Sequence, residues 1–226
     1  MSKKPIKKSD KSKPWYRQRI KMQPYDTEKS ERNKVFLIIC EGQNTEPEYF
    51  KSFPVVTATV ESYGTGTSRL KLVEQVIEIK KSEEGEKEIW VVFDMDIQRD
   101  NAAQLKADFD GAINLARQHE IKVAYANDAF ELWFLLHYMY FENQWTRREY
   151  YQKLSNLWDL NYEKSGKSLV FCKRIYQRLM NDENADQNTA IRNARTLLEK
   201  QSTLKFSEQN PCTTIFKLVE ELNNYI

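Results

Sequence analysis

The chain has 226 residues, 40% hydrophobic and 12% aromatic, enough to build a core and too apolar for global disorder. Its longest apolar run, Val35 to Cys40, is far shorter than the roughly 20 residues a membrane helix needs, so no membrane is expected. Net charge is +2, but residues 1–22 hold nine Lys/Arg against the single acid Asp10, a net of +8 that leaves −6 on the rest.

This basic stretch reads as a flexible arm over 1–32. It is either a solvated tail or a segment that engages nucleic-acid phosphates, with Trp15 and Tyr16 available to stack on bases. No apolar segment follows it, so secretion is not expected and a cytoplasmic location is. Cys40, Cys172 and Cys212 are odd in number and far apart, which argues against a disulfide framework. His119 and His137 are the only histidines, so a Cys/His zinc site is almost excluded and any metal must be held by oxygen.

Val35-Phe36-Leu37-Ile38-Ile39-Cys40 reads as a strand covered on both faces. After the turn Glu41-Gly42-Gln43-Asn44 a helix begins, with Thr45 and Glu48 at capping-box spacing. Val55 to Tyr63 reads as a second strand, ended by Gly64-Thr65-Gly66. Ser68 then starts a helix carrying Leu70, Val73, Val76 and Ile77 on one face. Ile89 to Phe93 is a third apolar strand, ending in Asp94-Met95-Asp96. A helix over about 101–118, a fourth strand Ile121 to Ala126 and a deeply buried helix Phe130 to Phe141 follow. Beyond this the signal is helical: a capping box Thr146/Glu149 with Tyr150, Leu154 and Leu157 on one face, helices near 168–180 and 187–200, and a last one over about 213–225. The expectation is an α/β fold: a mostly parallel sheet flanked by helices over 33–142, with a helical C-terminal extension, 143–226, packed on it.

In an open parallel sheet ligands gather at the carboxyl ends of the strands. Glu41 directly follows the first strand, and Asp94 and Asp96 end the third. Alternation along an extended chain points Asp94 and Asp96 the same way, and clustered carboxylates repel unless a cation neutralises them. Mg²⁺ or Mn²⁺ suits such a set, although acids also end strands simply to meet solvent.

The stretches Cys40-Glu41-Gly42-Gln43-Asn44-Thr45-Glu46-Pro47-Glu48-Tyr49-Phe50 and Val92-Phe93-Asp94-Met95-Asp96 resemble a TOPRIM domain. More narrowly, with Asn127 to His137, Tyr162-Glu163-Lys164 and Asn210-Pro211-Cys212-Thr213-Thr214, the chain resembles the RloB-like proteins, which include the second component of the AbiL abortive-infection system. The resemblance runs over about 34–225. It implies a TOPRIM-like core in which Glu41 is metal ligand or general acid/base and Asp94 and Asp96 are metal ligands. Glu46 and Glu131 stand nearest the further acids of the related overcoming-lysogenization-defect nucleases, Glu46 five residues after Glu41 rather than four. Each also has a structural explanation: an acid in a helix's first turn for Glu46, capping-box spacing with Asp128 for Glu131.

Three further features are open to two readings. Lys164 either neutralises charge at the reacting phosphate or is an exposed helix-flanking lysine. His137 is a core residue or, less readily, catalytic. Gly64 to Ser68 offers backbone to a phosphate but lacks the lysine of a P-loop.

The resulting expectation is a Mg²⁺- or Mn²⁺-dependent nuclease acting on DNA or RNA, tRNA included, as an antiphage effector with an operon-encoded partner ATPase. Association with a second copy of the chain is left open. The competing readings are a non-catalytic nucleic-acid-binding or ATPase-partner subunit and a primase-like transferase.

Overall fold

The structure is a computed structural model that describes residues 34–82, 87–96 and 101–226; the basic arm lies outside the described residues. Residues 34–226 form one compact unit.

Five strands make one sheet: β1 (Lys34–Cys40), β2 (Ala58–Gly64), β3 (Lys87–Asp94), β4 (Lys122–Asn127) and β5 (Cys212–Thr213), in the order β2-β1-β3-β4-β5. The first four run parallel and only β5 is antiparallel, so the sheet is mostly parallel as the alternation of strands and helices predicts. In register, Leu37 stands between Glu61 and Ile89, and Asp94 opposite Ala126.

Burial explains why β1 and β3 carry unbroken apolar runs. On one face Leu37, Ile39, Ile89, Val91 and Phe93 pack with α2 (Arg69–Ser82) and α3 (Ala102–Gln118). On the other, Phe36, Ile38, Trp90 and Val92 meet α1 (Thr45–Lys51), α4 (Glu131–Leu135), α5 (Arg147–Trp158) and the later helices. Those later helices are α6 (Leu169–Cys172), α7 (Ile175–Asn181), α8 (Gln187–Lys200) and α9 (Ile215–Asn223). Both faces are therefore dry, the condition under which a parallel sheet tolerates no polar alternation. The extension supplies β5 as well as helices, so the sheet itself crosses the 142/143 boundary.

Several local readings change. The second strand starts at Ala58 because the N–H groups of Val56 and Thr57 donate to the Tyr225 carbonyl instead. Thr45 and Glu48 form no capping box: the Thr45 hydroxyl faces Cys172 Sγ at 3.7 Å, and Glu48 pairs with Lys51. The Phe130–Phe141 segment is buried through His137, but regular helix spans only Glu131–Leu135 before i→i−3 bonds tighten it into turns. On α5 the inward residue is Trp158, while Leu157 is exposed. Its Thr146/Glu149 capping box does form, with Glu149 accepting from the Thr146 N–H at 2.7 Å. The 168–180 helix is two short ones, α6 and α7, and Leu169 and Val170 face solvent. All three cysteines are buried and free, and among the described residues no helix is long and apolar enough to cross a membrane.

Candidate metal centre

Three strand ends converge on one point of the carboxyl edge. The Glu41 N–H donates to Val92 O at 2.8 Å, tying the end of β1 to β3. Met95 donates to Ala126 O, and Asp96 to Asp128 O, both at 3.0 Å, tying the end of β3 to β4. Around this junction lies a cavity of about 330 Å³, lined by Glu41, Glu46, Asp94, Asp96, Arg147 and Lys167 with the loop Gly42–Thr45 and Gly66. The structure thus brings together all four acids expected as ligands.

Glu46 arrives from the first turn of α1 and is almost fully buried. Its carboxylate lies so close over Gly42 that a Cβ there would force it to shift. Asp96 does not join Asp94 by strand alternation. The strand ends at Asp94, and Asp96 has φ 42°, a left-handed conformation costly for a non-glycine residue, which turns its carboxylate back into the site.

Cations of the chain itself answer the clustered charge, which the expectation of repelling carboxylates overlooked. Arg69, the first residue of α2 and 4% exposed, donates to the carbonyls of Asp94 and Met95 at 3.1 Å. It also pairs with Asp108 at 3.2 Å and Glu41 at 3.7 Å. Arg147 spans the D-x-D, NH2 to Asp94 Oδ2 at 3.1 Å and NH1 to Asp96 Oδ2 at 3.2 Å. Lys167 Nζ sits 2.5 Å from Glu131 Oε1 and 3.4 Å from Thr45 Oγ1.

Glu131 is fully buried and takes a second bond from the Tyr162 hydroxyl at 2.9 Å. It forms no capping box with Asp128, because the helix itself starts at Glu131. It holds Lys167 at the cavity wall, while Asp128 accepts from the Arg147 N–H at 3.2 Å. Lys164 is exposed on the turn Tyr162–Gly166 and does not line the cavity. His137 is a core residue: its Nδ1 donates to Trp133 O at 2.9 Å, and burial pulls its pKa down to about 4.

The environments separate the acids. Burial, only partly offset by Arg69 and reinforced by Glu46 and Asp96, pushes the Glu41 carboxyl up to about 7. Burial likewise raises Asp94 and Glu46, against Arg147 and Lys167 respectively. For Glu131 burial is outweighed, and Lys167 holds it below the usual carboxylate range. Glu41 Oε2 is buried with no hydrogen-bond partner among the described residues. Among those residues, no three His, Cys, Asp or Glu side chains form a group close enough to hold one ion.

Sequence reading missed Arg69, Arg147 and Lys167. For Arg69 and Arg147 a signal was present: each is the first residue of a helix, where the dipole disfavours a cation and a tertiary partner must compensate; Lys167, at the carboxyl end of the turn Tyr162–Gly166, carries no such signal.

Fold and site define an α/β protein with an acidic, cation-buttressed cavity where its parallel strands end. The chain belongs to the RloB-like family, whose model, described as RloB-like protein, matches residues 36–222. No curated protein matches the chain, and no solved structure does.

Proposed function

We propose that this cavity hydrolyses phosphodiester bonds of DNA or RNA with Mg²⁺ or Mn²⁺, as the effector of an antiphage defence system that also uses a partner ATPase. The observation that carries the reading is the gathering of Glu41, Glu46, Asp94 and Asp96 from separate elements into one cavity at the carboxyl edge. The TOPRIM-like and defence parts rest on the RloB-like membership and on the motifs around Glu41 and Asp94.

The donor chemistry suits a hard cation, because every side chain offered is a carboxylate and Glu41 Oε2 lacks a partner among the described residues, although no three of these groups stand close enough to share an ion without moving. Asp94, Asp96 and Glu41 would hold the ion, with Glu46 behind them. When bound, such an ion supplies Lewis acidity toward a phosphoryl oxygen and a lowered pKa for a water. Where Glu41 does not ligate the ion, its carboxylate would take the proton of the attacking water as the new O–P bond forms, and the oxygen leaving phosphorus would take its proton from solvent. Lys167, fixed by Glu131 and Tyr162, faces the negative charge of the phosphate, so the cationic role falls to it rather than to Lys164.

The test is incubation of labelled DNA and tRNA with the full chain in Mn²⁺ or EDTA, with and without the partner ATPase. Mn²⁺-dependent cleavage that disappears in Asp94→Asn/Asp96→Asn supports hydrolysis. Binding without cleavage in every combination favours the non-catalytic subunit, a reading favoured by the pairing of Asp94, Asp96 and Glu131 with the chain's own cations.

A further inference from the structure

We infer that Arg147 is a built-in counter-cation that holds Asp94 and Asp96 in place of a divalent ion, so that metal loading requires its guanidinium to leave. This rests on the metal-dependent reading above.

The three cations of the site are not equivalent. Arg69 is 4% exposed and satisfied on two backbone carbonyls and two carboxylates, the environment of a permanent structural cation. Lys167 is engaged by Glu131, outside the D-x-D. Arg147 alone spans the two aspartates, one terminal nitrogen on each, rather than clasping one carboxylate side-on. Its Nε is buried with no hydrogen-bond partner among the described residues, so the grip is incomplete and carries a desolvation penalty. The side chain is 32% exposed, which leaves it a way out toward solvent.

Its backbone, by contrast, is fixed. The Arg147 N–H is held by Asp128, and the preceding Thr146 closes the capping box with Glu149. Release therefore needs only side-chain rotation. With the guanidinium on Asp94 and Asp96, no three-ligand group is formed among the described residues. A divalent ion drawing on the same two carboxylates would stand against the guanidinium's like charge, so the ion and the guanidinium compete and each weakens the other's hold.

The experiment is Mn²⁺ titration of the full chain, read by the electron-paramagnetic-resonance signal of free Mn²⁺ and by the Mn²⁺-induced rise in melting temperature. The set is wild type, Arg147→Ala, Arg147→Gln, Arg147→Lys and Asp94→Asn. Arg147→Ala and Arg147→Gln should bind Mn²⁺ about tenfold tighter than wild type, and be stabilised more by it, although less stable in EDTA. Arg147→Lys, with one point charge that cannot span both aspartates, should fall between. Asp94→Asn should bind weakly. Affinity in the neutral variants equal to or below wild type, with Mn²⁺ binding and cleavage intact in wild type, overturns the competition and leaves the hydrolytic reading standing. No Mn²⁺ binding in any variant or in wild type overturns both.

Discussion

The cavity is built from two regions that contribute opposite charge. The α/β part supplies the acids: Glu41 and Asp94 at strand ends, Asp96 just beyond, Glu46 in the first turn of α1. The helical C-terminal part supplies Arg147 and Lys167, and among the described residues only Arg69 comes from the sheet side. The acids are placed by backbone, since a strand end fixes its side chain within one residue. The cations are placed by tertiary contact, at the ends of long flexible side chains steered by Asp128, Glu131 and Tyr162. Chemistry that must not move sits on the first kind of support, and charge that must be movable sits on the second.

The strongest way to break this division is to neutralise the acids. Glu41→Gln, or Asp94→Asn with Asp96→Asn, should lower Mn²⁺-dependent cleavage by about 10³-fold or more in single-turnover assays. Retained cleavage would move the chemistry elsewhere. The double Asn variant should also leave Arg147 without a partner, so a gain of stability from relieved repulsion, natural for acids taken alone, is not expected here.

A second test separates holding from reacting. Glu131 is fully buried and Lys167 is its counter-ion, with the lysine side chain 40% exposed. Lys167→Met should cost about 3 kcal/mol in urea unfolding, by stranding a buried carboxylate whose pKa must then rise. Adding Glu131→Leu should recover much of that stability while leaving cleavage low. Recovery of both would show that Lys167 does nothing beyond satisfying Glu131.

The same division explains what the sequence made legible. β1 and β3 are apolar throughout because both faces are covered, so their ends, and with them Glu41 and Asp94, are readable from a one-dimensional pattern. β5 is two residues long, too short for any periodicity, and the helix after Phe130 is apolar all round, which hides where its regular turns stop. Glu131 stands out in its motif, but no local spacing shows that its partners are Tyr162 and Lys167, some thirty residues on. Capping-box spacing misled at Thr45 and Asp128 because tertiary partners took the side chains, and held at Thr146, which is exposed and has none to compete.

Where the two regions meet, His137 offers a smaller, pH-dependent probe. Its carbonyl accepts from Asp186, the neighbouring Leu136 carbonyl accepts from Asn193, and its ring is buried against Trp133. A base whose folded pKa is lowered from 6.5 to about 4 resists protonation when folded. The unfolded chain then binds more protons across that window, so stability is full above pH 6.5 and is lost as pH falls toward 4, by about 3 kcal/mol. His137→Gln should flatten the acid limb of a denaturation series between those values. An unchanged limb would mean that the ring takes a proton without leaving the core.

The smallest effect on the folded body, and the last, concerns the arm. Residues 1–22 carry +8 and the remainder −6, so the acidic cavity should repel a phosphate backbone until positive charge compensates. If about four of the nine basic residues contact phosphates, counterion release gives a logarithmic salt slope of roughly −3 to −4 for nucleic-acid binding. Deleting 1–22 should flatten that slope and weaken binding at low salt. The melting temperature should shift by only about a degree or two, because the segment offers little apolar surface to bury. Fluorescence anisotropy of both proteins at several salt concentrations, with melting curves alongside, makes the comparison. A slope that survives the deletion would assign the attraction to Lys167, Arg147 and their neighbours, and would return the arm to the role of a solvated tail or a handle for a protein partner.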